Sequence, residues 1–190
     1  PEIGEHLNVI NTTDNQLLIT MIFLGLGSGQ LIFGPLSDSF GRKPLVYWGF
    51  IVFIIGSLIC VSTKSFNMMI LGRILQGIGL SSPRSLSLSM IRDSYSGNYM
   101  AKIISIVVMF FILIPIIAPS IGQLLLAFFS WHSIFYFNLI FAILVMLWFI
   151  IRQPETLVKH KRIKFSINLF TNGTKLFFKN KEAVAFTMVS

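Results

Sequence analysis

Charged residues punctuate this chain so rarely that they serve as rulers. No Asp, Glu, Lys or Arg lies between Asp14 and Asp38, or between Lys43 and Lys64. A helix crossing a bilayer core needs about 20 mostly apolar residues, so residues 16–36 and 44–63 are predicted as two spans. A third, about 66–91, is long enough but carries Arg73 and Arg84. From Ile103 to Ile151 no residue is charged, which leaves room for two more spans, divided at the polar and aromatic stretch Ser130, Trp131, His132, Ser133. A further apolar run begins at Ala183 and reaches Ser190. The pattern therefore predicts five full spans of about 20–28 residues and the start of a sixth. All are expected to be helical, because an isolated spanning segment must satisfy its own backbone hydrogen bonds.

Composition narrows the class. The 190 residues are 54% hydrophobic and only 12% charged, with a mean hydropathy of +0.79. Soluble domains carry about 25% charged residues, so a soluble globular enzyme is disfavoured, and disorder, which needs low hydrophobicity, is excluded. Fifteen Lys and Arg against seven Asp and Glu could suit a nucleic acid, but a nucleic-acid-binding domain is not this apolar. The distribution of the basic residues points to the bilayer as partner instead. Arg42, Lys43, Arg92, Lys102, Arg152, Lys159, Lys161, Arg162, Lys164, Lys175, Lys179 and Lys181 fall on one side if the spans alternate; the other side keeps Lys64 with Glu2, Glu5 and Asp14. Twelve against one identifies the cytoplasmic side. Cys60 is alone, so there is no disulfide framework and no Cys-based metal site. The chain opens at Pro1 without Met and stops inside an apolar run, so both edges read as cuts in a longer membrane protein.

Four stretches carry candidate chemistry. Between the first two spans, Gly34, Pro35, Leu36, Ser37, Asp38, Ser39, Phe40, Gly41, Arg42, Lys43 and Pro44 read as a tight turn, with Gly for unusual backbone angles and Pro to stop or start helices. Asp38 could cap a neighbouring helix; a plain loop whose charges stop translocation is the simpler reading. In the third span, Gln76, Gly77 and Arg84 lie within about 60° of Arg73 at 100° per residue. A guanidinium at membrane depth costs ~2.5–3.5 kcal/mol, so Arg73 is expected to face a cavity or a partner, whereas Arg84 can snorkel to an interface. In the fourth span, Pro115, Pro119 and Gly122 fall on one helix face, where Pro kinks the helix and Gly admits another backbone; generic membrane-helix packing accounts for them equally. The long basic stretch 152–181, with its interleaved Phe, Ile and Leu, fits either an interfacial helix on anionic headgroups or a tethered loop.

Other patterns carry less. Gly25, Gly27 and Gly29 lack the preceding strand of a dinucleotide fingerprint, and Gly25 with Gly29 fits a membrane packing face. Asn11 and Asn172 head short glycosylation sequons. His6, His132 and His160 have no metal-ligand spacing, and no Ser–His–Asp set is placed for nucleophilic work.

At these residues a resemblance becomes specific. Gly34, Leu36, Asp38, Gly41, Arg42 and Lys43 are similar to the motif after the second helix of the major facilitator superfamily, with Ser39 where Arg is usual. The stretch Arg73, Gln76, Gly77, Gly79 resembles the third-span Arg motif of that superfamily's drug:proton antiporters, in which the Arg is implicated in proton coupling. Pro115 to Gly122 resembles the antiporter Gly-Pro motif, with Ala118 where Gly is usual. Arg92-Asp93, the Trp131-His132 turn and Pro154-Glu155-Thr156-Leu157 are similar to the Bcr/CflA (bicyclomycin-resistance) branch.

The resemblance implies an all-α integral membrane bundle, the N-terminal half of such a transporter without its first helix. Residues 1–157 would be helices 2–6, 158–182 a basic central loop, and 183–190 the start of the seventh helix. The implied function is a proton-coupled multidrug exporter of the bacterial inner membrane, without cofactor or metal. Its partners would be the bilayer, protons, a small hydrophobic drug-like substrate, and the missing first helix and C-terminal half; nucleic acid is not among them. Arg73, Gln76 and Gly77 would serve proton coupling. Gly34, Asp38, Gly41, Arg42, Lys43 and Asp93 would form a cytoplasmic gate with an Arg42–Asp93 ion pair, and Pro115, Pro119 and Gly122 the antiporter helix. No Asp or Glu lies inside the five full spans, so the proton carrier is expected elsewhere and Arg73 is expected without a carboxylate partner. The rivals are a membrane enzyme or assembly protein, for which no intramembrane catalytic cluster is visible, and the product of a split or degraded gene that transports nothing.

Overall fold

A computed structural model describes residues 12–158, 160, 162 and 163. Five helices follow one another: α1 (Thr12–Phe40), α2 (Arg42–Ser62), α3 (Phe66–Ser94), α4 (Gly97–Phe128) and α5 (His132–Arg152). No strand occurs among the described residues, and no break falls inside 44–63. The stretch 164–182 and the apolar run 183–190 lie outside the described residues.

Three of the five helices are longer than the charge-free windows suggest, at 29 residues for α1 and α3 and 32 for α4. The first turn differs most from expectation. α1 runs through Gly34 and Pro35 to Phe40, so the predicted loop contracts to Gly41 alone. Pro35 inside the helix removes one backbone donor without ending the helix. Pro44 sits in the first turn of α2, where a missing N–H is tolerated. Gly41 reverses the chain at φ 107, a backbone angle open to glycine and strained for other residues.

α3 is the hub, lying against both α1 and α2, while α5 packs on α2. The middle of this three-helix unit is filled by small residues rather than large ones. A Cβ at Gly25 would strike the Ile74 carbonyl, and one at Gly77 would strike the Ile22 carbonyl. On the other flank, Gly49 faces Ser82 and Gly79, and Gly56 faces Gly72 and Gln76. Where lipid tails are as apolar as any side chain, such close backbone approach drives association by contact and dispersion. Gly25 and Gly29 do form the packing face that their spacing implied.

Larger side chains fill the two ends. Phe33, Leu45, Val46, Leu86 and Met90 cluster at the end bearing Arg42 and Arg92. Leu18, Cys60, Met69, Trp131 and Phe135 cluster at the other. Four helices are long and apolar enough to cross a membrane: Gln16–Phe40, Arg42–Ser62, Gly97–Phe128 and His132–Arg152. α3 is less apolar, as its position allows: its Gly, Ser and Gln residues meet α1 and α2 instead of lipid. α4 contributes no buried residue.

Candidate functional site

The reversals between helices bring the end of α1, the start of α2, the end of α3 and the end of α5 to one basic end. Arg42 is the centre of that cluster, its side chain only 11% exposed. Its Nη1 lies 2.7 Å from Asp38 Oδ1 and donates to Ser37 Oγ. Its Nε donates to Asp93 Oδ2 at 3.1 Å. One guanidinium thus binds carboxylates from α1 and α3 with its planar fork, an arrangement that Lys cannot reproduce. Lys43 follows a different route, donating from Nζ to the Ile150 carbonyl of α5 at 3.1 Å. Asp38 therefore does not cap α2, as its sequence position allowed. The carboxylate on the first amides of α2 belongs to Glu155, at 3.0 Å from the Arg42 N–H and 3.3 Å from the Lys43 N–H.

Because Asp93 is partly exposed, at 23% of its side chain, solvent screens this pair. A double-mutant cycle over Arg42→Ala and Asp93→Ala should return a coupling of about 1 kcal/mol at low salt, falling as salt rises. The measurement is thermal unfolding of the four proteins at two ionic strengths.

The second candidate lies in α3. Arg73 is half-buried, and its guanidinium sits 4.5 Å from the ring centre of Phe135 on α5, within cation–π range. Its Nη1 donates to Gln76 Oε1 at 3.4 Å. Gln76 in turn donates from Nε2 to Ser57 Oγ of α2 at 2.9 Å, and Ser57 Oγ donates to the Phe53 carbonyl at 2.8 Å. Cys60 donates weakly to the same Gln76 oxygen. This polar chain is buried from Gln76 onward, so each member needs its partner. Among the described residues no carboxylate pairs with Arg73, and its buried Nε has no acceptor.

The single face expected for Arg73, Gln76, Gly77 and Arg84 divides in the structure. Gln76 turns to α2, while Gly77 meets the α1 backbone at Ile22, Gly25 and Leu26. A spread of 60° to each side is wide enough for neighbours on both flanks to claim the edges. Arg84 is exposed, 6.0 Å from the Phe111 ring of α4. Pro115 and Pro119 are exposed on α4, and a Cβ at Gly122 or at Gly34 would meet nothing within 4 Å. Among the described residues, then, the geometry joins Asp38, Gly41, Arg42, Lys43 and Asp93, and separately joins Arg73 and Gln76. It does not bring the α4 residues to either group.

Ser37, Ser57, Phe135 and Glu155 were not singled out by their types. Ser37 lay inside the candidate turn and Glu155 inside Pro154-Glu155-Thr156-Leu157, but neither signal said what the residue touches.

Comparison with known proteins fixes the class. The profile of the Major Facilitator Superfamily matches residues 1–190, and the chain belongs to that superfamily. The family and the four apolar helices make it a multi-pass integral membrane protein of a transporter superfamily. A bicyclomycin resistance protein homolog of Haemophilus influenzae is 34% identical over 97% of this chain and 46% of its own length. The multidrug resistance protein MdtL of Salmonella paratyphi C is 32% identical over 77% of the chain and 38% of its own. The chain spans about half the length, or less, of these curated relatives. The human organic anion transporter TETRAN shares the fold, with a TM-score of 0.65 at 20% identity over 90% of this chain and 41% of that one.

Proposed function

We propose that the full-length protein is a proton-coupled multidrug exporter of the bacterial inner membrane. Residues 1–157 then supply helices 2–6 of its N-terminal half, 158–182 the central loop, and 183–190 the start of the seventh helix. The observation that carries this reading is Arg73: a guanidinium set seven residues into α3, held by Gln76 and Phe135, with a buried Nε free of any acceptor among the described residues. A permanent charge placed at such cost is best used as a counter-charge for an acid that gains and loses a proton. Protonation of that acid releases the pair, and substrate and proton compete for the same site. The acid is supplied by the first helix or by the C-terminal half.

Two halves rocking about a midplane site provide alternating access. The Arg42 cluster, with Asp38 and Asp93, steadies the basic end when the cavity opens to the opposite side. Relatives named for bicyclomycin and multidrug resistance support a drug as the exported substrate. The test is complementation of a drug-sensitive bacterial strain with the full-length gene, scored against a panel of compounds. Raised resistance to several unrelated hydrophobic compounds is the expected result; unchanged resistance across the panel at verified expression contradicts the proposal.

A further inference from the structure

The N-terminus of α2 is capped from far away, and every one of its free donors is accounted for. A helix begins with backbone N–H groups that have no partner inside it. The N–H of the capping residue Gly41 reaches back to the Ser37 carbonyl at 3.0 Å. The next two, on Arg42 and Lys43, both go to the Glu155 carboxylate. The fourth position is Pro44, which has no N–H. No local side chain caps this helix. Its cap comes from a residue 113 positions along the chain.

Gly41 makes room for that reach. Its φ of 107 calls for glycine, and a Cβ there would also crowd Glu155 Oε2 and stand 2.8 Å from an Arg162 nitrogen, so those two side-chain ends would have to shift. The segment after α5 closes over the turn at further points. Glu155 Oε1 also accepts the Leu157 N–H at 3.0 Å, Arg162 Nη2 stands 3.7 Å from Glu155 Oε2, and the Ile163 N–H donates to the Asp38 carbonyl at 3.1 Å.

We infer that the described residues after α5, from Glu155 to Leu157 with Arg162 and Ile163, strap the α1–α2 turn, and that Glu155 is a positioning residue for Arg42. The carboxylate fixes the backbone of the residue whose guanidinium holds Asp38 and Asp93. It acts as a two-oxygen acceptor for a helix N-terminus, where an anion is favoured by the helix dipole, and its pairing with Arg162 is secondary. This inference stands whether or not the protein exports drugs, so its test needs no substrate.

The experiment is amide hydrogen exchange of the full-length protein in lipid nanodiscs, read at peptides covering Arg42 and Lys43. Glu155→Ala should speed exchange of those two amides about five-fold, the equivalent of one helix cap. Glu155→Gln, which keeps one acceptor oxygen, should give a smaller rise. The exchanged pair Glu155→Arg with Arg162→Glu should not restore protection, because Arg cannot accept from an N–H. Wild-type exchange in both single variants would overturn the inference, as would full restoration by the exchanged pair, which would make the ion pair the operative contact. Should Glu155→Ala raise exchange throughout α3, showing general unfolding, the Glu155→Gln protein decides: a rise confined to Arg42 and Lys43 supports the strap, and none overturns it.

Discussion

Replacing Arg73 by Ala in the full-length transporter is expected to abolish proton-driven efflux while leaving the protein in the membrane at wild-type level. Insertion cannot be the point of failure, because removing a guanidinium from membrane depth eases insertion by ~2.5–3.5 kcal/mol. Packing loss is modest as well, since Arg73 is only half-buried and touches Phe135 and Gln76. What disappears is the counter-charge. Arg73→Lys should restore part of the activity, because Lys keeps the charge but not the fork that reaches Gln76 and an acid together. Phe135→Leu should fall between these and wild type, having lost a cation–π contact worth ~0.5–2 kcal/mol. Efflux is measured in everted membrane vesicles at equal expression; wild-type efflux by the Ala protein would remove Arg73 from the mechanism.

The second large effect concerns the small-residue seam. Gly77→Ala should lower the thermal midpoint of the purified full-length protein, and Gly77→Leu should prevent its accumulation. The obstacles around a Cβ at this position are all backbone: the Ile22 carbonyl, the Leu26 nitrogen at 2.8 Å and the Gly25 Cα at 3.0 Å. Backbone cannot swing aside as a side chain can, so α1 must move off α3, with an overpacking cost of ~1–3 kcal/mol for a single methyl. Gly27→Ala is the contrasting case. Nothing lies within 4 Å of a Cβ there, so the expected change is neutral or stabilising by up to ~1 kcal/mol through helix propensity. Melting curves of the two Ala variants should therefore shift in opposite directions or leave Gly27→Ala unmoved. Equal destabilisation by both would mean that helix content, not the seam, sets stability.

The helices could be read from the chain because charge is so costly in hydrocarbon that its absence over 20 residues marks a span, and α2 and α5 come out within a few residues of the windows. The α1–α2 turn could not. Gly34, Pro35 and Pro44 are helix breakers in water, but a membrane helix carries Pro35 in its interior, and only the φ of Gly41 reverses the chain. The Arg42–Asp93 contact was foreseeable from their shared side and from the family motif. Glu155 was not, because no periodicity relates a residue to a helix end 113 positions away. Similarly, Gln76 and Gly77 were legible as neighbours of Arg73, but which flank each meets depends on where α1 and α2 settle on α3. The α4 residues Pro115, Pro119 and Gly122 join neither cluster among the described residues.

On the proposed function, a proton gradient drives the transport. Full-length protein in liposomes carrying a pH-sensitive dye, with no nucleotide present, tests it most directly. An imposed concentration gradient of a substrate found by the resistance panel should move protons in the opposite direction. That signal should vanish in Arg73→Ala liposomes and in wild-type liposomes equilibrated with a protonophore. Substrate movement by the wild-type protein with no accompanying proton flux, at the same rate whether or not a pH gradient is imposed, would contradict the account.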